Sequence, residues 1–424
     1  MKIKIRHRSL GDVLKIPAPK YKKPKKPSII LSTVIRIASI FDLTPVKFKC
    51  TKIGLDKVKK EPCLILMNHS SFIDLKIVSK IFYPKPYSIV CTSDDFIGKE
   101  LLMRYIGCIP TKKFVRDSKL ISDISYALKE LKVSVLMYPE ASYSFDGTAT
   151  ALPRRLGLLL KKLNVPVVMV TTYGAFSRDP LYGGLRKRKV EVSAEAKLLL
   201  TKEEIAEKGA DELDSVLDDA FSFDNFRWQQ ENKIEINEEF RAEGLERILY
   251  KCPNCHKEGK TKGYGTSFKC NSCGKEYELD KFGYLNAISG QTEFDHIPDW
   301  YAWQREKVKE EIQNGNYLLD VDVDIYTMAD YKAIYHIGSG KLIHNENGFH
   351  LTGCEGLLDY SQSPVSSYSL YADYYWYEID DVICIGNSYR LYYCIPKNKI
   401  PVAKARLATE ELYKIKKLKK RVKA

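Results

Sequence analysis

The sequence predicts an α/β domain, then a small cysteine-rich module, and finally a β-rich C-terminal domain. Three observations predict this order. Short apolar runs alternate with helical patterns between about residues 60 and 200, two Cys-x-x-Cys pairs follow, and runs rich in Tyr, Val and Ile fill most of the remaining chain. A chain of 424 residues is also longer than most single domains, which agrees with several domains.

The α/β prediction depends on the alternation of strand-like and helix-like segments. Five apolar runs are predicted strands, at residues 63–68, 87–93, 133–140, 165–174 and 188–196. Two segments between them have helical patterns, at 122–132 and 154–164. Strands that alternate with helices favour a sheet layered by helices. The acidic, helical stretch that follows begins at Thr201 with a capping-box pattern.

Polar residues follow two of these runs directly. His69 and Asp74 belong to "NHSSFID" (68–74), and Glu140 belongs to "YPEASYS" (138–144). A histidine in a loop and an aspartate inside the next helix can meet, and such a pair can take a proton from a hydroxyl. No G-x-S-x-G nucleophile motif is present, which favours direct attack by an acceptor hydroxyl. The alternative is two polar residues in an ordinary strand-to-helix turn.

Four motifs in order resemble those of the glycerolipid acyltransferase family, the PlsC-like lysophosphatidic-acid acyltransferases. "NHSSFID" matches the family's N-H-x-x-x-x-D motif, and "YPEASYS" matches F-P-E-G-T-R-S in part. "GCIPTKK" (107–113) resembles the G-x-x-x-x-x-R motif, with Lys113 in place of arginine. "VPVVMV" (165–170) fits the apolar, proline-containing fourth motif. The resemblance covers roughly residues 30–230, and we assign residues 29–235 to a PlsC-like domain.

The resemblance implies an acyltransferase that moves a fatty-acyl group from acyl-CoA or acyl carrier protein to the hydroxyl of a lysophospholipid or glycerolipid similar to 1-acylglycerol 3-phosphate. His69 would be the general base, and Asp74 would orient it. The residues implied to bind the substrate are Asn68, Lys113, Glu140, Ser142 and Tyr143. Two alternatives stay open: an acyl hydrolase, and an inactive acyltransferase fold that binds lipid or nucleic acid.

The third motif departs from the family pattern at three consecutive positions. Ala141, Ser142 and Tyr143 stand where the family has glycine, threonine and arginine. That arginine grips the acceptor phosphate in the family, and a tyrosine lacks the charge and the paired donors for this contact. The charge is therefore replaced from elsewhere or the acceptor lacks a phosphate there. The candidate replacements are Lys112, Lys113, Arg154 and Arg155.

The cysteine-rich module contains "CPNC" (252–255) and "CNSC" (270–273). This spacing is typical of a structural Zn²⁺ site with four thiolate ligands and no open position, so we predict a zinc ribbon at 250–282. The predicted ligands are Cys252, Cys255, Cys270 and Cys273. Basic and aromatic residues between the pairs could contact nucleic acid, or they could form the module's own surface. The other seven cysteines are scattered, which indicates reduced thiols and a cytoplasmic protein.

Residues 296–424 contain a helix, several predicted antiparallel strands and a basic C-terminal helix, a pattern similar to a pleckstrin-homology-like barrel. The dense tyrosines at 371–377 could be strand core or a face that meets lipid headgroups.

Positive charge is concentrated at the two ends of the chain. The net charge is +14, and the segments 1–27 and 397–424 contain ten and eleven Lys or Arg residues. We predict a basic N-terminal arm at 1–28 and an anionic membrane surface as partner, with nucleic acid a less favoured one. Residues 29–41 are predicted to form an amphipathic helix, either in a membrane interface or on the protein's own core. No apolar run is long enough to span a bilayer, so we expect a peripheral protein on the inner face of the cell membrane.

Overall fold

The computed structural model describes residues 3–58, 61–115 and 117–422, with side chains described up to residue 418. The chain begins with strand β1 (Ile5–His7) and helix α1 (Leu10–Leu14), and helix α2 (Ile29–Leu43) follows. The predicted basic arm is not a detached segment. Strand β1 pairs in parallel with residues 334–336 of the C-terminal domain, and Leu10 and Val13 are buried. The start of the arm packs on the folded domains because its apolar residues are buried there.

The first domain contains a seven-stranded sheet. Its strands are β2 (Lys49–Ile53), β3 (Leu64–Met67), β4 (Tyr87–Thr92), β5 (Cys108–Thr111), β6 (Ser134–Met137), β7 (Val167–Tyr173) and β8 (Ser193–Leu200). Their order is β2-β8-β7-β3-β6-β4-β5, and β7 and β8 are antiparallel. The predicted strand 188–196 begins later than expected, because Arg188 and Val192 donate backbone hydrogen bonds to Arg178 and Val46.

Helices cover both faces of this sheet. They are α3 (Asp74–Phe82), α4 (Glu100–Ile106), α5 (Ser118–Lys129), α6 (Leu156–Leu163), α7 (Ala175–Arg178), α8 (Lys202–Glu207), α9 (Ala210–Phe221) and α10 (Asn225–Glu231). Successive side chains of a strand point to opposite faces. Accordingly, Leu64 and Leu66 pack with α5, α6 and α9, whereas Ile65 and Met67 pack with α3. Thr201 forms the predicted capping box at the start of α8.

The cysteine-rich module is a four-stranded antiparallel sheet. Its strands are β9 (Thr261–Tyr264), β10 (Ser267–Cys270), β11 (Glu276–Leu279) and β12 (Leu285–Ala287), and helix α11 (Ile297–Gln313) follows. Trp300 of α11 packs against Phe268 and Tyr277, with ring centroids 5.5 and 5.2 Å away. Its indole N–H also donates to the Lys251 carbonyl at 2.9 Å. This aromatic contact fixes the module on α11.

The C-terminal domain has seven antiparallel strands and one helix. They are β13 (Leu319–Thr327), β14 (Ile334–Asn345), β15 (Gly348–Gly353), β16 (Leu358–Gln362), β17 (Tyr371–Trp376), β18 (Asp380–Gly386), β19 (Leu391–Pro396) and α12 (Val402–Val422). The strand order is β16-β15-β14-β13-β19-β18-β17. The first half of α12 lies in the core, where Leu407 and Leu412 are fully buried. The basic C-terminal helix is therefore a core element over part of its length. The predicted fold class, with its three kinds of domain, is confirmed.

The edge strand β17 packs against the first domain. The Tyr371 hydroxyl donates to Asp94 at 3.1 Å, and the Tyr377 hydroxyl donates to Asp95 at 3.0 Å. Tyr371, Tyr374 and Trp376 are buried, so most of this tyrosine-rich run forms core and domain contact. Within the described ranges, none of the helices is both long and apolar enough to cross a bilayer.

Candidate active site

Side chains of the first three motifs lie where neighbouring parallel strands end. Strands β3, β6, β4 and β5 are adjacent and parallel. His69 follows β3, Glu140 follows β6 and Lys113 follows β5. In such sheets the carboxyl ends of the strands form the binding edge. The structure therefore brings these three motifs together at one edge of the sheet.

His69 and Asp74 form the predicted pair. The Nδ1 atom of His69 lies 3.1 Å from Oδ2 of Asp74, which is the first residue of α3. The same oxygen accepts the backbone N–H groups of Ser70 and Ser71, at 2.9 and 3.1 Å. Burial raises the pKa of Asp74 to about 8, although these two N–H groups oppose the rise. Because Oδ2 already accepts two backbone N–H groups, it acts as an acceptor toward His69 as well, so Nδ1–H points toward Asp74 and Nε2 is left as the acceptor.

The His69 ring lies between two tyrosine rings. Its centroid is 4.1 Å from that of Tyr138 and 3.9 Å from that of Tyr143, and both rings are stacked on it. Burial lowers the pKa of His69 well below its ordinary value, the positive charge of Lys113 lowers it further, and Asp95 opposes this. The imidazole is thus neutral at neutral pH. Because its side chain remains 17% exposed, it can accept a proton from a group at the pocket.

Glu140 contacts the protein backbone with both carboxylate oxygens. Oε2 accepts the N–H of His69 at 2.8 Å, and Oε1 accepts the N–H of Thr150 at 2.8 Å. Burial raises the pKa of Glu140 to about 7, and these donors oppose the rise. The side chain is only 2% exposed. Glu140 therefore positions the His69 loop, and its expected contact with the acceptor stays a prediction.

Asn68 has a similar internal role. Its Oδ1 accepts the backbone N–H of Thr172 on β7 at 2.9 Å, and its Nδ2 donates to the Ser70 hydroxyl at 3.1 Å. The side chain is 7% exposed. Asn68 thus ties the end of β3 to β7, and its expected contact with a substrate stays a prediction.

The third-motif loop departs from the family pattern in structure as well as in sequence. The Tyr143 ring is stacked on the His69 ring, and its centroid lies 5.2 Å from that of Phe72. Ser142 is buried, and its hydroxyl has no hydrogen-bond partner among the described residues. Ala141 has a φ of 58°, a conformation that favours glycine. The loop keeps the backbone shape expected of the family glycine while an aromatic ring occupies the place of the family arginine.

Lys113 is the candidate cation that lies at the site. Arg154 and Arg155 are exposed near the start of α6, and the ammonium of Lys112 donates to the carbonyl of Ser388. The charge of Lys113, in contrast, acts on His69, and its ammonium lies 4.2 Å from the Tyr371 ring centroid.

Four residues at this edge were not predicted from the sequence. Asp94 and Asp95 follow β4, and Tyr371 and Asp373 come from β17. The stretch "TSDDF" (92–96) also follows a predicted strand. Its two aspartates could therefore have been predicted at this edge in the same way as His69 and Glu140. No local pattern indicates that β17 reaches this edge, since the contact joins distant parts of the chain.

The four predicted cysteine ligands form one cluster. Their sulfur atoms all lie within 4.8 Å of one another, and the Cys252–Cys273 and Cys255–Cys270 pairs are each separated by 3.7 Å. A tetrahedral ion with Zn–S bonds of about 2.3 Å requires sulfur separations of about 3.8 Å. The cluster therefore fits a tetrahedral metal ion such as zinc. His256 lies outside it, with its ring against Trp303.

Comparison with known proteins bears on the first domain. A search of curated proteins gave no match. Among solved structures, the chain is similar to the 1-acyl-sn-glycerophosphate acyltransferase PlsC from Thermotoga maritima, with 15% identity and a TM-score of 0.36 over 45% of this chain and 76% of that chain. Residues 49–172 match the family model described as Acyltransferase, and this segment includes all four motifs. The predicted resemblance to acyltransferases is thereby confirmed for residues 49–172.

Proposed function

We propose that the protein transfers a fatty-acyl group from a thioester, acyl-CoA or acyl carrier protein, to a hydroxyl of a glycerolipid, with His69 as the general base. One observation carries the proposal. Within the segment that matches the Acyltransferase family model, a neutral imidazole is held by a buried carboxylate at the strand ends. This arrangement suits proton removal from an alcohol.

The chemistry needs one base and no covalent enzyme intermediate. The acceptor O–H gives its proton to Nε2 of His69 while the oxygen attacks the thioester carbonyl carbon. Asp74 stabilises the imidazolium that forms, because its Oδ2 faces Nδ1. The tetrahedral intermediate then expels the thiolate, the C–S bond breaks, and the imidazolium returns its proton to the sulfur. The products are the ester and the free thiol.

The first experiment is acyl transfer by the full-length protein, with labelled acyl-CoA and acyl carrier protein and a panel of lysolipids. We expect ester formation by the wild type and its loss in His69→Ala. His350→Ala is the matched control, because His350 is an exposed histidine of the C-terminal domain. Free fatty acid without ester would identify a hydrolase. No product from any pair of substrates would overturn the proposal in favour of an inactive binding protein.

We also propose that the cluster of four cysteines holds Zn²⁺ as a structural ion. Four thiolates fill a tetrahedral shell, so no position is left for a substrate or water. Ion removal should then change the fold of the ribbon first.

An anionic membrane surface on the cytoplasmic side is the proposed location. The exposed apolar side chains of α2 are Ile29, Ile30, Val34, Ile37, Ile40 and Phe41. The exposed lysines that precede this helix are Lys20, Lys22, Lys23, Lys25 and Lys26. An apolar helix face beside lysines suits adsorption to anionic lipid. The exposure of this face supports the membrane alternative over packing on the protein's own core.

Vesicle sedimentation tests the location. We expect binding to vesicles that contain phosphatidylglycerol and weaker binding to pure phosphatidylcholine. Ile30→Asp should lower the partition coefficient by about tenfold, since burial of one such side chain is worth about 1.5–3 kcal/mol. Ile288→Asp is the control, because Ile288 is 60% exposed on the ribbon side, against 77% for Ile30. Equal effects of the two substitutions, or no binding to anionic vesicles, would contradict the proposed surface.

A further inference from the structure

The surroundings of Lys113 are unusual for a group expected to grip a phosphate. Its ammonium lies over the ring of Tyr371, whose hydroxyl donates to Asp94. The next residue of the same turn, Asp95, accepts a hydrogen bond from the Tyr377 hydroxyl. Asp94 is 2% exposed, so this carboxylate is held in the interior and cannot turn away into solvent.

A third carboxylate reaches the same place from the C-terminal domain. Asp373 lies two residues after Tyr371 on β17, and residues two apart on a strand share a face. Burial raises the pKa of Asp373 to about 6, and the positive charge of Lys113 opposes that rise. Burial and the neighbouring Asp94 raise the pKa of Asp95, and the Tyr377 hydroxyl and Lys113 oppose that rise. The lysine charge is thus already shared by carboxylates of both domains.

The position of the family arginine also lacks a positive charge. Tyr143 replaces it on the His69 ring, so the cation is absent there. Burial raises the pKa of the Tyr143 hydroxyl well above its ordinary value, and nearby carboxylates raise it further. These carboxylates are Asp74, Asp373, Asp95 and Asp179. Acidic groups of both domains therefore act on the position of the family arginine, and one of them, Asp179, is paired with Arg178 at 3.0 Å.

We infer that β17 forms one wall of the acceptor site and that Asp95 and Asp373 select glycerolipid acceptors with no phosphate next to the reacting hydroxyl. This inference rests on the proposed acyl transfer and specifies its substrate class. A phosphate monoester would have to enter beside two half-buried carboxylates, and Lys113 is the cation whose charge acts on both of them. Like charges brought together in a partly desolvated site cost affinity, which is a common way to exclude a competing substrate. An uncharged headgroup meets no such repulsion.

The test compares two acceptors that differ in one group, a monoacylglycerol and the corresponding monoacylglycerol 3-phosphate. Both are measured with the full-length protein in the same detergent, by equilibrium dialysis and by acyl transfer. We expect the wild type to prefer the unphosphorylated acceptor by about tenfold or more, since close like charges change affinity by that order. Asp373→Asn and Asp95→Asn should each reduce the preference, and Lys113→Met should increase it.

Asp359→Asn is the matched control. Asp359 is an exposed carboxylate of the same domain, paired with His350, so the substitution makes the same change in net charge away from the site. The preference should not change in this variant. If it changes as much as in Asp373→Asn, the effect is one of total charge and the inference is overturned.

The binding measurement separates this inference from the proposed reaction. Tighter binding of the phosphorylated acceptor by the wild type overturns the inference, whether or not acyl transfer occurs. Tighter binding of the unphosphorylated acceptor without any transfer supports the pocket but overturns the reaction. If the asparagine variants do not fold, as judged by circular dichroism, the wild-type preference alone decides the outcome.

Discussion

The four cysteines of the ribbon come from one short stretch, Cys252 to Cys273, and their sulfurs converge within that module. The His69 site takes its side chains from the ends of four strands and from β17 of another domain. The first site depends on local turns and, in our proposal, on a zinc ion. The second depends on how two domains pack, so a change in the contact at β17 can alter its specificity while every motif stays intact.

Removal of the metal should give the largest effect. This effect should be confined to the zinc ribbon and should leave the His69 site unchanged. Structural zinc contributes apparent binding free energies on the order of 10 kcal/mol in small zinc modules. We expect one zinc per chain by atomic absorption, and Cys252→Ser or a strong chelator should unfold β9–β12. The measurement is hydrogen exchange of these strands, together with the fluorescence of Trp300, which packs on Phe268.

Cys50→Ser is the control for this experiment, because Cys50 is a partly exposed thiol of the first domain. It should leave the zinc content unchanged. Equal protection of the ribbon strands with and without metal would show that the packing on α11, and not the ion, maintains this module.

Substitution of the pair at the other site should change chemistry more than stability. We expect Asp74→Asn to lower kcat/KM by about 10²-fold or more, because the imidazole loses the carboxylate that orients it and stabilises its charged form. The double variant with His69→Ala should be no slower than His69→Ala alone, since residues that act as a unit are not additive. Additive losses would indicate that Asp74 acts independently of His69.

The pH dependence of kcat/KM also tests the role of His69 as a base. A histidine base works in its neutral form, and the lowered pKa of His69 keeps it neutral well below its ordinary value of about 6.5. We therefore expect no loss of kcat/KM from protonation of His69 as the pH falls from about 7.5 to about 6. Lys113→Met removes a positive charge that disfavours the imidazolium, so the pKa rises and the acidic limb moves to higher pH.

Lys112→Met is the matched control, because its ammonium bonds to the Ser388 carbonyl and is not among the groups that shift the pKa of His69. Its acidic limb should coincide with that of the wild type. The same displacement in both variants would attribute the shift to net charge and not to the position of Lys113.

Sequence reasoning succeeded where chemistry follows from local spacing. The two Cys-x-x-Cys pairs and the turn that carries His69 and Asp74 were sufficient to place both sets of side chains. For Asn68 and Glu140, which the motifs suggested as substrate contacts, local spacing did not indicate the internal hydrogen bonds that the structure shows. Their polar atoms are taken by backbone N–H groups of Thr172, His69 and Thr150. A motif identifies a residue, but the direction of its hydrogen bonds depends on neighbouring strands.

The contribution of β17 could not have been predicted from the sequence. Tyr371 and Asp373 lie in a strand whose alternation indicates only one buried and one less buried face. The contacts of Tyr371 with Asp94 and Lys113 follow from the docking of two domains. Long-range contacts of this kind leave no periodic pattern in either segment.

The smallest expected effect concerns the backbone of the third-motif loop. Ala141 has a φ of 58°, where an L-residue costs about 1–2 kcal/mol and the family motif has glycine. Ala141→Gly should remove that strain, but a glycine also loses about 0.4–1 kcal/mol more entropy on folding. We expect a net rise in the free energy of unfolding of up to about 1 kcal/mol, measured by urea denaturation.

Ala151→Gly is the matched control for this substitution. Ala151 lies in the same loop and does not have a positive φ. Its replacement by glycine relieves no strain and only increases the entropy lost on folding, so it should lower the free energy of unfolding. Opposite signs for the two alanines would mean that the loop retains the family's backbone while its side chains have changed. Equal signs would mean that the loop relaxes in solution, and the Tyr143 ring would then not be held on His69 by the backbone turn at Ala141.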